Sequence, residues 1–319
     1  SLSRGKACGP DELPPETYHT HKLSLAPILL QVFEEILEKE HLTDTMREGI
    51  ISLLYKKKDR ADIRNYRPIT LLNSDYKIFT TLLTLRVVRA VENYISIWQT
   101  GFVPGRIITD NTHLLNLIQS IVEDRYTERG DSESQGAFVA LDQEKAFDSC
   151  AWSTLNAMFG AMGFGPKVQA WVRTICNART PLTRKIKMEG RYSRPFEVRC
   201  SVPQGDVFSP IAFACFMEPL ARMIHSCPDL PGIVIDGIRY LISLFADDTV
   251  ILLQDVRHEL PFLWLLIQRF SAATGLRINI DKTEGVLLGA ARLIDHSELP
   301  NVIWAQDGEF IVCLGAPIG

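Results

Sequence analysis

The stretch Tyr240-Leu-Ile-Ser-Leu-Phe-Ala-Asp-Asp-Thr-Val-Ile-Leu-Leu253 sets two apolar, β-rich arms on either side of the carboxylates Asp247 and Asp248. Burying ionised carboxylates without compensation is costly, so the pattern predicts a hairpin with both acids at its tip. Taken alone, this would be as well explained by a plain exposed Asp-Asp turn. A second acid alters the balance: Asp142 follows directly on the apolar strand Ala137-Phe-Val-Ala-Leu141, and Asp148 comes soon after on a segment containing Phe147. Strand ends of this kind meet when their strands are neighbours in one antiparallel sheet. Their charges then repel unless cations neutralise them, and a pair of Mg²⁺ ions roughly 4 Å apart does so while activating an attacking hydroxyl and supporting a leaving pyrophosphate. Oxygen ligands suit Mg²⁺, and neither stretch contains His or Cys. Metal-assisted nucleotidyl transfer is the chemistry these residues point to.

Outward from the acids, the chain alternates helical and strand-like segments and predicts an α+β fold. Apolar residues at helical spacing predict helices over Leu25 to Glu40, Tyr76 to Ile95, Trp152 to Met162, Lys167 to Ala178, Ile211 to Ile224 and Pro261 to Thr274, the last closed by Gly275. The run Gly49 to Tyr55 reads as a strand delivering the cationic loop Lys56-Lys57-Lys58-Asp59, and Thr183 to Arg199 as a hairpin turning at Glu189-Gly190. Arg125 to Gly136 is polar and poor in apolar side chains, which predicts a subdomain boundary.

The 319 residues are 46% apolar and 23% charged, within the range of globular chains. No stretch reaches about 18 consecutive apolar residues and no apolar leader opens the chain, so a soluble intracellular protein is expected. Seven scattered cysteines suggest neither a zinc site nor a disulfide framework. The net charge of −4 argues against a nucleic-acid partner, whereas the segment from Lys167 to Arg199 holds nine basic residues against two acids. A basic surface, or merely a solvated charged face, would account for that segment.

Several strings then occur in a fixed order: Gly9-Pro-Asp11, Ile63-Arg-Asn-Tyr-Arg-Pro-Ile-Thr70, Gln99-Thr-Gly-Phe-Val-Pro-Gly-Arg106, Ala140-Leu-Asp-Gln-Glu-Lys-Ala-Phe-Asp148, Pro203-Gln-Gly205, Ser209-Pro210, Phe245-Ala-Asp-Asp248 and Gly275-Leu-Arg-Ile-Asn279. Together they resemble the reverse transcriptases of non-LTR, LINE-type retrotransposons. The resemblance implies a right-hand polymerase with helical fingers over residues 1–135. It implies a palm over 136–319 whose antiparallel sheet packs on helices, with a basic hairpin at 182–200 and a primer-grip-like hairpin near 303–316. The chain stops soon after that hairpin, so no thumb is expected. The implied activity is RNA-directed DNA polymerisation with two Mg²⁺ ions, Mn²⁺ being a substitute. The implied partners are an RNA template, a DNA primer and dNTP, with no membrane; the implied location is the nucleus and cytoplasm.

Roles carry over by motif. Asp142 and Asp247 resemble the metal-binding aspartates, Asp248 a third acid, and Gln143 a backbone carbonyl facing a metal. Phe147 matches the residue under the incoming sugar that excludes a ribose 2′-hydroxyl. Lys57 and Arg67 resemble the triphosphate grip, Arg67 being favoured for its bidentate fork. Gln204 matches the residue lying against the incoming nucleotide, and Gly205 would allow close approach to the template base. Gly105 and Arg106 would lie on the template path, Gly315 in the primer-grip hairpin, and Lys282 near a lysine that protonates the leaving pyrophosphate.

The chain departs from the family pattern at Ser201-Val-Pro203 and Asp206-Val-Phe208, which flank Gln204-Gly205, and at Glu12, where a Gly is usual. Asp206 would repel a triphosphate if its side chain faced the substrate. These departures and the acidic net charge support an alternative, a palm without catalysis acting as a nucleic-acid or protein-binding scaffold. The retained aspartates weigh against it. An RNA-dependent RNA polymerase would share the palm and metals, but Phe147 and Ala246 fit it less well.

Overall fold

The strand Glu48–Tyr55 pairs antiparallel with Tyr66–Leu72 and in parallel with Leu182–Met188. In the computed structural model, which describes residues 2–56, 59–177 and 179–319, this sheet is the backbone of one of two compact units. That unit comprises Ser1–Val91 and Phe147–Phe213; the other comprises Glu92–Ala146 and Ala214–Gly319. The predicted turn at Glu189-Gly190 is present, both residues having positive φ (47° and 78°), as a two-residue type I′ connection requires. The hairpin is shorter than expected: Leu182–Met188 pairs with Arg191–Tyr192, and Phe196–Val198 folds back on the start of the same strand.

The first unit also contains the helices Lys22–Lys39, Ser74–Val91, Trp152–Ala161 and Pro166–Ile175. Three of them meet through aromatic rings, Phe33 to Phe79 at 5.2 Å and Phe79 to Trp171 at 5.0 Å between centroids. Burial of side chains such as Phe79 and Leu83, both fully covered, contributes about 1.5–3 kcal/mol each. The second helix stops at Val91 rather than Ile95, because the Ser96 N–H and hydroxyl are drawn to the buried carboxylate of Glu218. The fourth stops at Ile175; Ala178, its expected end, lies outside the described residues.

In the second unit the strand order is Ile242–Phe245, Asp248–Leu253, Gln135–Leu141, Glu284–Gly289, Ile303–Trp304, antiparallel except for the last pair. The middle strand, Gln-Gly-Ala-Phe-Val-Ala-Leu, is almost wholly buried, as its unbroken apolar run requires. The helix Ile108–Thr127 lays Leu115, Ile118 and Val122 on Phe138, Val250, Leu252, Val286 and Leu288. The helix Val256–Thr274 ends in Gly275 at φ +80°, the left-handed stop expected of that residue.

The polar stretch before Gly136 lies inside one compact unit, where the Ser134 hydroxyl donates to the Val122 carbonyl at 2.9 Å and ties the helix end to the middle strand. The hairpin expected near 303–316 is Ile311–Cys313 paired with Ala316–Ile318, while Ile303–Trp304 closes the edge of the main sheet. No helix among the described residues is long and apolar enough to cross a membrane.

Candidate active site

The expected residues divide between the units: Gly105, Arg106, Asp142, Gln143, Asp247, Asp248, Lys282 and Gly315 belong to the second, Arg67, Phe147, Gln204 and Gly205 to the first. Lys57 lies outside the described residues.

In the second unit the register sets Leu141 opposite Thr249 and Phe245 opposite Asp248. Asp142, one step beyond Leu141, and Asp248, one step before Thr249, therefore emerge at the same end of neighbouring strands, with Asp247 in the adjoining turn. Both turn acids are exposed and Asp142 is partly so. The turn needs a positive φ at Ala246, 58°, a left-handed conformation that costs a non-glycine residue about 1–2 kcal/mol.

Around Asp142 the chain is fixed on two sides. Its carbonyl accepts the Asn279 N–H at 2.7 Å, and the Lys282 ammonium stands 3.7 Å from its Oδ2. Gln143 lies on the short strand Gln143–Glu144, paired with Arg277–Ile278, and its Nε2 donates to the Thr249 hydroxyl at 3.2 Å. Three carboxylates, rich in hard oxygen donors, have the ligand chemistry of a divalent cation such as Mg²⁺. Among the described residues, no group of three or more His, Cys, Asp and Glu is drawn together closely enough to hold a metal as it stands.

The Arg106 guanidinium donates to the carbonyls of Ser96, Gln99 and Ile95, bracing its own loop. Gly105 takes φ +76° in that loop, and Gly315 takes φ +77° after Leu314 at 55° in the two-residue turn of the last hairpin.

In the first unit Arg67 is exposed on the strand Tyr66–Leu72. Three residues on, the Thr70 N–H donates to the Gln204 carbonyl at 2.7 Å. Gly205, at φ +118°, lies so close to this strand that a Cβ would stand 2.5 Å from the Thr70 carbonyl oxygen. Glycine is thus required here by the contact with Thr70. Asp206 does not face solvent. It is 5% exposed and accepts the Thr80 hydroxyl at 2.6 Å. Burial pushes its carboxyl up to about 6, while the bonds from Thr80 and from the amides of Phe208 and Val207, with the charge of Arg184, pull it back. The ring of Phe147 stacks on Phe213 at 4.5 Å, and its carbonyl accepts the Val202 N–H at 2.8 Å.

Three of the nine basic residues of this segment are committed internally. Arg184 is buried and donates to the Arg47 carbonyl, Arg173 pairs with Glu40, and Arg199 pairs with Glu197.

The family described as reverse transcriptase (RNA-dependent DNA polymerase) matches residues 55–311. The chain belongs to the reverse transcriptase family. Its relatives include the transposon TX1 uncharacterized 149 kDa protein of Xenopus laevis, 29% identical over 92% of this chain and 22% of that protein. They also include the Pol polyprotein from type-1 retrotransposable element R2 of Popillia japonica, 26% identical over 75% of this chain and 32% of that protein. The RNA-directed DNA polymerase from mobile element jockey of Drosophila melanogaster is 26% identical over 77% and 25%. This reverse transcriptase chain therefore spans between 22% and 32% of the length of these three relatives. Among solved structures it is similar to apo telomerase from Candida tropicalis, with TM-score 0.48 and 11% identity over 77% of this chain and 51% of that one.

Reverse transcriptases use divalent metal ions, in keeping with the acid set at the sheet end. Sequence reasoning missed supports in each unit: Gln99 in the second, Thr70 and Thr80 in the first. Gln99 and Thr70 stand in quoted motifs, so the motifs were visible and the structural roles were not. Thr80 carries no local signal, because its partner Asp206 lies 126 residues away in the chain.

Proposed function

We propose that the chain is the polymerising domain of a LINE-type retrotransposon protein, extending a DNA primer on an RNA template by transfer of a nucleotide from dNTP. The observation that carries this reading is the register of Leu141 on Thr249, which brings acids from two motifs to one end of neighbouring strands. Asp142 and Asp247 would hold the divalent ions, Mg²⁺ in the cell, with Asp248 as the third acid and the Gln143 carbonyl as a further oxygen. Bound there, the ions would lower the charge at the primer 3′-hydroxyl and at the leaving pyrophosphate. Positioning and charge neutralisation then supply nearly all the catalysis.

The chain's own groups do the rest. Arg67, through its planar fork, would take triphosphate oxygens, with Lys57 as a point charge. Gln204, fixed through its carbonyl to Thr70, would lie against the incoming nucleotide. Phe147, its ring backed by Phe213, would exclude a 2′-hydroxyl. Lys282 would deliver a proton to the pyrophosphate. Residues 1–135 and 136–319 correspond in this reading to fingers and palm, and the place of action is the nucleus and cytoplasm. The inward side chain of Asp206 removes the main objection to substrate binding at the altered loop.

The reading is tested by single-nucleotide extension of a DNA primer on an RNA template with Mg²⁺ at low salt, where electrostatic binding of template is strongest. Extension that stops on chelation supports it. A chain that binds template but never extends it contradicts it.

A further inference from the structure

The turn that carries Asp247 is held from outside its own hairpin. The carboxamide oxygen of Gln99 accepts the N–H of Ala246 at 3.0 Å and the N–H of Gly101 at 2.9 Å. Gln99 is 1% exposed, and among the described residues its Nε2 has no hydrogen-bond partner, so the oxygen is the working end of this side chain. The segment around it is laid along the hairpin as an added strand: the Leu244 N–H donates to the Trp98 carbonyl and the Thr100 N–H to the Leu244 carbonyl, both at 2.9 Å. Asn111 fastens the same place, its Nδ2 donating to the Ser243 hydroxyl at 2.7 Å. Arg106 completes the brace by donating to the Gln99 carbonyl at 2.6 Å.

Gly101 is part of the device. A Cβ there would lie 2.3 Å from the Ala246 nitrogen, so no other residue permits the approach. The strained φ of Ala246 thus has a compensating bond at the residue's own N–H, one residue before the aspartate.

We propose that Gln99 is the positioning residue of Asp247, holding the Ala246 peptide through its carboxamide oxygen so that the Asp247 carboxylate is presented at the sheet end beside Asp142. The proposal rests on the reading of Asp247 as a metal-holding acid. A group that must meet a cation in a defined geometry gains from a turn with one conformation. Without the acceptor, the two buried N–H groups lose their partner and the turn relaxes from its left-handed state.

The test uses the chain with Gln99→Leu, which removes the acceptor, and Gln99→Glu, which keeps an oxygen at the same place. Extension is measured as kcat, as KM for dNTP and as the Mg²⁺ concentration giving half-maximal rate. Hydrogen exchange is followed in parallel at the amides of 245–249 and, as reference, at Glu284–Gly289.

For Gln99→Leu the expected result is a kcat reduced by about tenfold or more, the scale of buried donors left unsatisfied, together with a higher Mg²⁺ requirement and an unchanged dNTP KM. Exchange rises at the turn and stays slow at the reference strand, and Gln99→Glu restores most of the rate. A Leu variant with normal kcat and normal exchange at the turn overturns the proposal. So does equal loss in both variants with exchange raised across the whole sheet, which marks a general folding role. Should the unaltered chain show no extension, the polymerase reading falls and the exchange at the turn still decides whether Gln99 holds it.

Discussion

The Lys282 ammonium stands 3.7 Å from the Asp142 carboxylate, with side chains 63% and 43% exposed. So open a pair contributes little to stability, typically 0–1 kcal/mol. In the proposed reaction its use would be chemical: beside an acid that would hold a metal, Lys282 would supply a proton to the departing pyrophosphate. Lys282→Met is expected to leave the melting temperature almost unchanged and to reduce kcat for single-nucleotide extension by roughly 10²-fold, the usual contribution of a positioned acid. Melting and rapid-quench extension on the same preparation check this. A normal kcat would assign Lys282 to charge balance alone.

Asp206 gives a pH-dependent signature. Its folded carboxyl is pushed up to about 6, against 3.8 for the unperturbed group. An acid raised in the folded state favours folding when protonated, so its contribution is full below 3.8 and is lost as pH rises through about 6. The groups facing it are Thr80, Tyr76 and Lys77 from one helix, Arg184 from the sheet and Cys176 beyond another helix. Asp206→Asn keeps an oxygen for Thr80 and removes the charge. The variant should exceed the parent by on the order of 2–3 kcal/mol at pH 7, with the gap closing toward pH 4. Urea denaturation at the two pH values reads this; a gap that does not change with pH would show that Asp206 is not the titrating group.

Two departures from the family pattern sit where the backbone asks for glycine. Glu12, exposed, has φ +58°, and Ser201, pinned by the Cys150 carbonyl and the Trp152 indole, has φ +99°. Each side chain strains its own backbone. Glu12→Gly and Ser201→Gly should each stabilise the chain by about 1 kcal/mol, the left-handed penalty less the entropy glycine adds to the unfolded state. A lower denaturation midpoint for either would refute the strain argument at that position.

Phe147→Val removes the ring that lies on Phe213. If the ring closes the space a ribose 2′-hydroxyl would enter, the variant should gain ribonucleotide incorporation relative to dNTP, read as the ratio of kcat/KM values. Unchanged discrimination together with reduced stability would assign Phe147 to core packing.

Much of this was legible in the sequence, for physical reasons that also explain the gaps. The acid hairpin could be read because two apolar arms, a tight turn and unburiable carboxylates coincide at 240–253. The strand ending at Leu141 could be read because an unbroken apolar run met a charge. Helix positions followed from spacing, though their ends did not, since side chains such as Glu218 draw the chain away early. The helix Ile108–Thr127 was missed although Leu115, Ile118 and Val122 have helical spacing. A sequence shows charge without direction: the Asp206 side chain turns inward to Thr80, and that of Arg106 turns back on its own loop.

In the proposed mechanism Asp142 and Asp247 act together at the sheet end. The decisive measurement is single-nucleotide extension with Asp142→Ala and Asp247→Ala, each with template binding and melting temperature on the same preparation. Both variants are expected to fold and bind template as the parent does, and neither to extend the primer. Near-normal extension by either one would contradict the mechanism.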